Sequence, residues 1–158
     1  MTDELKPSQN PTSGLVDVGG KSVTDRTAEA RAEVRIGAEI FADLERSGWQ
    51  VKKGSLREIA AIAGMMAAKR TPEWIPHCHP IPLHRCDLRI EGLGEDRIEI
   101  RCVCAAHART GVEMEAMTGA AAAALTIYDL LKSRSHGIEI GPVALVTKTG
   151  GKSDFGSR

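Results

Sequence analysis

The chain has 158 residues, with 21 basic and 21 acidic side chains, a length that fits one domain with a substantial core. The balanced charge gives no global basic field for nucleic acid, and no basic amphipathic stretch indicates a membrane surface. The longest apolar run is far shorter than a membrane span, and the first residues do not resemble a signal peptide. We therefore expect a cytoplasmic protein that binds neither nucleic acid nor membrane.

The N-terminal third predicts a tail, a strand and a helix. Residues 1–14 are polar and include two prolines, which predicts a disordered N-terminal tail ahead of one domain over residues 15–158. Small or apolar residues alternate with charged ones over residues 27–36, which predicts a half-buried strand. Helical spacing of apolar residues follows and ends near Gly48.

A second helix and a proline-rich segment come next. Ser55 and Glu58 form a capping box. It opens a helix whose pattern places these residues on one face: Leu56, Ile59, Ala60, Ala63, Met66 and Ala67. Three prolines and two histidines then lie between residues 72 and 80. Because proline fixes φ and lacks an N–H donor, this segment is expected to be a rigid, irregular loop.

The second half of the chain predicts a hairpin, a long helix and a last strand. Alternation over residues 86–104 predicts the hairpin and places Cys86, Cys102 and Cys104 in its apolar phase as small core residues. A helical pattern over residues 112–134 and a strand over residues 138–146 follow. The resulting order favours an α+β fold, the ferredoxin-like split βαβ sandwich, with an antiparallel sheet and helices on one face.

The long helix carries a candidate acid–base pair. Asp129 and Lys132 are three residues apart and share a face, and Glu115 lies on nearly the same face fourteen residues earlier. At the rise of an α-helix the two carboxylates are about 21 Å apart. Either the substrate is elongated or helices from different subunits serve one site. Taken alone, Asp129 and Lys132 also fit an ordinary solvated ion pair.

Two glycine pairs followed by lysine suggest phosphate binding. Residues 150–153 and 19–22 both read Gly-Gly-Lys-Ser, although neither has the first glycine of a P-loop. Thr110 and Gly111 open the long helix and offer unpaired N–H groups. Six cations can add to a local cluster for a polyphosphate ligand: Lys53, Lys69, Arg70, Lys132, Lys148 and Lys152. The alternative for residues 150–153 is a flexible C-terminal segment.

His77 and His79, with the thiols of Cys102 and Cys104, raise the alternative of a zinc site. Their spacing matches no compact Cys/His framework, so we expect no metal bound by the protein. The commoner interpretation of a loop histidine is a hydrogen-bonded structural residue.

Several blocks of sequence together resemble the family of molybdenum cofactor biosynthesis protein C (MoaC). The resemblance covers about residues 15–154, in order. The blocks that carry it are Leu15-Val16-Asp17-Val18, Thr24-x-Arg26-x-Ala28, Ala67-Ala68-Lys69-Arg70-Thr71, Ile75-Pro76-x-Cys78-His79-Pro80, Thr110-Gly111-Val112-Glu113-Met114-Glu115-Ala116, Ala124-Leu125-Thr126-Ile127-Tyr128-Asp129 with Lys132, and Lys148-x-Gly150-Gly151-Lys152-Ser153.

This resemblance implies a fold, an assembly and a reaction. The subunit is expected to be ferredoxin-like and to form a homohexamer, a trimer of dimers, with sites at dimer interfaces. The reaction is that of a lyase of molybdenum cofactor biosynthesis. It converts 3′,8-cyclo-7,8-dihydro-GTP to cyclic pyranopterin monophosphate with release of pyrophosphate. Mg²⁺ is expected only with the substrate triphosphate.

The same resemblance implies the site residues. Asp129, Lys132 and Lys53 are the expected catalytic groups. We expect that a catalytic lysine crowded by other cations has its pKa lowered towards the working range. The resemblance also places substrate contacts at Cys78, His79, Met114 and Glu115. For the triphosphate we assign His79, Lys69, Lys148 and Lys152, with Arg26 from a neighbouring subunit, and we add His77 as a substrate-binding residue.

Two positions depart from the family pattern: His77 replaces a usual apolar residue, and Gly19-Gly20 replaces a usual Ser-containing sequence. Two other functions stay open on the sequence alone. One is a ferredoxin-like nucleotide-binding or regulatory module without catalysis. The other is a zinc-dependent hydrolase that uses His77, His79 and the cysteines.

Overall fold

The computed structural model describes residues 14–156, so the expected tail lies almost wholly outside the described residues. The elements in chain order are β1 (Thr24–Arg35), α1 (Ala38–Arg46), β2 (Gln50–Val51), β3 (Gly54–Ser55), α2 (Leu56–Ala68), α3 (Thr71–Trp74), β4 (Arg85–Leu93), β5 (Arg97–Ala108), α4 (Glu113–Leu131) and β6 (Glu139–Thr149). Among these residues, no helix is both long and apolar enough to cross a membrane.

The four long strands form one antiparallel sheet in the order β4-β5-β1-β6. Helices α2 and α4 pack on each other, and both contact the sheet from the same side. This is the ferredoxin-like split βαβ arrangement predicted from the sequence, with β2 and β3 forming a small separate hairpin.

The two faces of the sheet differ in chemistry, as the alternation predicts. On β1, Ala28, Ala30 and Ala32 are fully buried on the helix-covered face. The residues between them point to the other face, where Glu29 pairs with Arg101 of β5 at 2.9 Å. Because the buried side chains of β1 are small, α4 can lie close against the sheet.

A close approach of α2 and α4 is made possible by glycine. A Cβ atom at Gly119 of α4 would lie 2.7 Å from Cys102 Sγ and 3.3 Å from the carbonyl oxygen of Gly64. A Cβ contact of 2.7 Å essentially never occurs, so any larger residue would require its neighbours to shift. The run of tiny side chains over residues 119–124 therefore does bring a sheet and a second helix close, as expected.

Two local expectations need correction. The buried residues of α2 are Leu56, Ala60, Gly64, Ala67 and Ala68. Met66 is 47% exposed, so the expected face of the helix was wrong there, because α4 admits only small side chains. Residues 71–74 of the proline-rich segment form the short helix α3 rather than irregular loop. Pro72 is tolerated in its first turn, where an N–H group has no helical partner.

Candidate functional site

The carboxylate of Asp129 lies between two ammonium groups at the C-terminal end of α4. Lys132 Nζ is 2.6 Å from Asp129 Oδ1, and Lys53 Nζ is 3.2 Å from Asp129 Oδ2. Lys53 reaches the helix because it lies in the turn between β2 and β3. Asp129 is thus in direct contact with both of the expected catalytic lysines.

The contacts between Asp129 and the two lysines determine the protonation states of Asp129 and Lys132. Hydrogen bonds from Lys132 and then Lys53 lower the pKa of Asp129, so it is a carboxylate at neutral pH. The same hydrogen bond with Asp129 raises the pKa of Lys132, which is therefore an ammonium ion. Our expectation of a lysine with a lowered pKa was wrong for Lys132, because its nearest charge is a carboxylate and not another cation.

Beside Asp129 lies an open cavity of about 520 Å³. Its walls are mainly apolar side chains of α2 and α4, with Arg70 and Trp74 at one side. Leu125, Trp74 and Met66 remain exposed there. We call it the apolar cavity.

A second cavity, of about 310 Å³, lies near the N-terminal end of α4. Five of the expected substrate-binding residues line it together: His77, Cys78, His79, Met114 and Glu115. We call it the loop cavity, because residues 77–79 belong to the segment that follows α3. Thr110, Gly111 and Glu113 complete the wall on the helix side.

Burial sets the acidity of the groups in the loop cavity. Glu115 is only 3% exposed, and desolvation raises its pKa to about 7, with the nearby charge of Glu113 adding to the effect and a backbone hydrogen bond opposing it. Burial also raises the pKa of the Cys78 thiol, with Glu115 and Glu113 contributing. Cys78 is therefore a protonated thiol and a poor nucleophile at neutral pH.

The two loop histidines hold the segment that leads into β1. His77 Nδ1 donates to the carbonyl of Gly14 at 2.7 Å, and His79 Nε2 donates to the carbonyl of Val16 at 2.8 Å. Among the described residues, neither ring joins a group of potential metal ligands with the cysteines. The zinc-hydrolase alternative therefore finds no support in this geometry.

A third cavity, of about 520 Å³, is strongly cationic. Five cations line it against one carboxylate, that of Glu113: Lys21, Arg26, Arg109, Lys148 and Lys152. We call it the basic cavity. It shares Thr110, Gly111 and Glu113 with the loop cavity, so the two are adjacent. Such a field favours a ligand with several negative charges.

The arginines of the basic cavity are held by backbone carbonyls. Arg26 donates to Ala108 through Nε at 3.4 Å. Arg109 Nη1 donates to Gly19 at 2.5 Å and to Lys21 at 2.6 Å, which fastens the N-terminal glycine pair to the wall. Because both guanidinium groups are positioned before any ligand arrives, less side-chain entropy is lost on binding.

The second glycine pair is part of the packed structure. A Cβ atom at Gly150 would lie 1.8 Å from the carbonyl oxygen of Asp25, and the φ of Gly150 is +83°. Thr24 Oγ1 donates to the carbonyl of Gly150 at 2.7 Å. Lys148 and Phe155 exchange two backbone hydrogen bonds of 3.0 Å. The alternative of a flexible C-terminal segment was therefore wrong for residues 150–153.

The structure does not bring all the expected site residues together. Asp129 and Glu115 are fourteen residues apart on the continuous helix α4, so they are separated by about 21 Å along its axis. Lys69 is exposed at the end of α2 and lines none of the three cavities. Arg109 and Glu113 also line the basic cavity and were not predicted, although both lie close to the Thr110-Gly111 pair that was marked as a possible anion site.

Comparison with known proteins finds a family and relatives that match most of the chain. The model of the MoaC family matches residues 15–151. The chain is 50% identical over 143 residues to a cyclic pyranopterin monophosphate synthase of Xanthomonas oryzae pv. oryzae, covering 90% of this chain and 87% of the relative. It is 45% identical over 155 residues to the protein of the same name from Halalkalibacterium halodurans, covering 96% of this chain and 92% of the relative.

Proposed function

The chain belongs to the MoaC family, and we propose that it acts as a cyclic pyranopterin monophosphate synthase at sites built from two copies of the chain. It is an enzyme of molybdenum cofactor biosynthesis. The substrate in this proposal is 3′,8-cyclo-7,8-dihydro-GTP, which is rearranged with release of pyrophosphate. A cytoplasmic location is part of the proposal.

The observation that carries the proposal is the division of the functional residues between the two ends of α4. One end presents Lys53, Asp129 and Lys132, and the other presents the loop cavity and the basic cavity. A straight helix of about 21 Å between them is too long for one nucleotide to reach both sets of groups. Two chains that place opposite ends of α4 side by side give one complete site.

The outer face of α2 and α4 supports pairing of chains. Ile62, Met66, Trp74 and Leu125 are each about half exposed there. They lie on or beside the apolar cavity next to Asp129. A contiguous apolar surface rimmed by charged groups is typical of a protein–protein interface. A homohexamer, a trimer of dimers, is the assembly that we propose.

The catalytic group has the charges that proton transfer needs. Asp129 is ionised and can accept a proton, while Lys132 and Lys53 can donate one or stabilise negative charge. Opening and closing a purine-derived ring requires proton movement at nitrogen and carbon. We assign this work to Asp129 and Lys132, with Lys53 as the second ammonium.

The basic cavity supplies the site for the triphosphate in this proposal. Arg26, Lys148 and Lys152 would neutralise charge on the departing pyrophosphate. Mg²⁺ would come with the triphosphate and would not be held by protein ligands. His79 and Glu115 would contact the rest of the nucleotide from the adjoining loop cavity. Lys69 lies outside these cavities, so its contribution requires a neighbouring copy.

The first test compares two aspartates that occupy similar environments. Like Asp129, Asp43 is ion-paired with two cations, Arg46 and Arg134. Asp129→Asn should lower turnover of 3′,8-cyclo-7,8-dihydro-GTP by about 10²–10⁴-fold, the usual contribution of general acid–base catalysis. Asp43→Asn should change turnover by no more than about twofold, since an exposed ion pair contributes little.

Turnover is followed by pyrophosphate release and by pterin formation, with folding and assembly checked by circular dichroism and light scattering. An Asp129→Asn variant that keeps wild-type turnover would remove Asp129 from the mechanism. Tight nucleotide binding without any product from the wild type would instead favour the non-catalytic nucleotide-binding module.

A mixing experiment tests whether sites are shared between chains. Asp129→Asn and His79→Ala damage opposite ends of α4, so each homo-oligomer should be nearly inactive. If random pairing joins one intact Asp129 group to one intact loop cavity, mixed oligomers should recover about a quarter of wild-type turnover. If mixed oligomers recover no activity, each site belongs to a single chain.

A further inference from the structure

Three cysteines form a compact group beneath the helices, away from the cavities described above. Cys104 Sγ lies 3.8 Å from Cys86 Sγ and 3.9 Å from Cys102 Sγ, and all three sulfurs lie within 4.8 Å of one another. The strand register explains the grouping. Cys86 of β4 lies opposite Cys104 of β5, and Cys102 lies two residues earlier on the same face of β5.

We propose that Cys86, Cys102 and Cys104 form a three-coordinate binding site for a single soft d¹⁰ metal ion, with Cu(I) as the ion that fits best. Metal–sulfur bonds of about 2.3 Å in a trigonal plane place the sulfurs about 4.0 Å apart. Two of the three sulfur–sulfur separations already have nearly this value. The sheet therefore holds the donors close to ligand spacing without rearrangement of the backbone.

The donor set favours Cu(I) over Zn²⁺. Within residues 14–156, no further cysteine, histidine or carboxylate joins the group of three. Structural zinc in proteins almost always has four tetrahedral ligands, whereas thiolate sulfur is the soft donor that selects Cu(I). Helix α4 closes the inner side, because Gly119 lies directly against Cys102. A fourth protein ligand has no room to approach from that side.

An ion can reach the group through Cys86. Cys102 and Cys104 are fully buried, but Cys86 is only half-buried and lies on the edge strand β4. An incoming ion therefore meets the sulfur of Cys86 first.

The two inner thiols lose their protons when the ion binds. Coordination deprotonates a thiol outright, and the released protons pass to the buffer. None of the three cysteines lines the loop, basic or apolar cavity, so this site lies beyond the proposed function.

The test is an anaerobic titration of the reduced, full-length protein with Cu(I) in competition with a chromogenic Cu(I) chelator. We expect one Cu(I) per chain, and X-ray absorption should show three sulfur neighbours at about 2.3 Å. Cys86→Ala and Cys102→Val should each abolish this binding. Cys78→Ser removes the fourth cysteine and should leave the stoichiometry unchanged.

Two ligand variants are used, so that the proposal can still be tested if one of them does not fold. Cys86 is half-buried, so Cys86→Ala is expected to fold even if Cys102→Val disturbs the core. The proposal is wrong if the wild type does not compete with the chelator or if Cys86→Ala binds Cu(I) as the wild type does. It is also wrong if only Cys78→Ser loses the ion, or if equimolar Zn²⁺ displaces Cu(I).

Discussion

The two ends of α4 place carboxylates in opposite environments. Asp129 is half exposed and lies between two ammonium groups, which lower its pKa. Glu115 is almost completely buried, and desolvation raises its pKa to about 7. The helix macrodipole alone predicts the reverse, because negative charge is favoured at the N-terminal end and disfavoured at the C-terminal end.

The magnitudes explain why the macrodipole does not determine the direction of the two pKa shifts. Its effect on one charge is typically about 0.3–1 kcal/mol and is confined to the terminal turn. A change in pKa from 4.5 to about 7 corresponds to about 3 kcal/mol, so desolvation of Glu115 outweighs the macrodipole. At Asp129, direct hydrogen bonds from Lys132 and Lys53 outweigh the unfavourable helix end. Local burial and contacts therefore set the state of each carboxylate.

The largest expected effect comes from removing both ammonium groups from Asp129. Lys53→Met with Lys132→Met should lower turnover about 1,000-fold, as far as loss of the carboxylate does, because proton donors and charge stabilisation vanish together. Lys52→Met is the control, since Lys52 is the exposed neighbour of Lys53. Steady-state turnover is measured for the wild type, the double variant and Lys52→Met. A double variant with near wild-type turnover would show that Asp129 acts without its lysines.

A smaller effect is expected from Glu115→Gln on the free energy of unfolding. The folded-state pKa of Glu115, about 7, lies above its ordinary value of 4.5. Between these values the folded chain binds more protons than the unfolded chain, so stability falls as pH rises through this window. Above pH 7 ionised Glu115 costs about 3 kcal/mol. Glu115→Gln should therefore be more stable than the wild type by about this amount at pH 8 and nearly equal at pH 4.5.

Urea unfolding at fixed protein concentration measures this difference, because stability of an oligomer depends on protomer concentration. Asp129→Asn gives a control with the opposite sign. Since the folded pKa of Asp129 is lowered, its contribution is present above its ordinary value of 3.8 and is lost as pH falls through the folded value. If Glu115→Gln shows the same pH profile as the wild type, Glu115 is not a desolvated carboxyl group.

Strand alternation and helix caps made the fold predictable from the sequence. Ser55 accepts a hydrogen bond from the backbone N–H of Glu58, as the capping box requires. The two-residue strands β2 and β3 and the short helix α3 were missed, because segments of two to four residues are too short to show a periodicity. The exposure of Met66 was also missed. The pattern of α2 alone cannot show which of its faces will pack against the small residues of α4.

The separation of the candidate site residues along α4 was predictable from the sequence, but the contacts that group them were not. Sequence spacing gave the separation of Glu115 and Asp129, because one continuous helix fixes it. It could not show that Lys53 would reach Asp129, since that contact joins residues 76 positions apart. The raised pKa of Glu115 also depends on its burial, which exists only in the folded chain.

The smallest effect separates the two lysines that hold Asp129. Lys132 is the closer, at 2.6 Å against 3.2 Å for Lys53, and its hydrogen bond is the larger cause of the lowered pKa. Lys132→Met should therefore raise the pKa of Asp129 further towards its ordinary value than Lys53→Met does. Carboxyl ¹³C chemical shifts followed through a pH titration measure both changes, with Lys52→Met as the variant that leaves the pKa unchanged. An equal or larger rise in Lys53→Met would mean that Lys53, and not Lys132, is the principal partner of the Asp129 carboxylate.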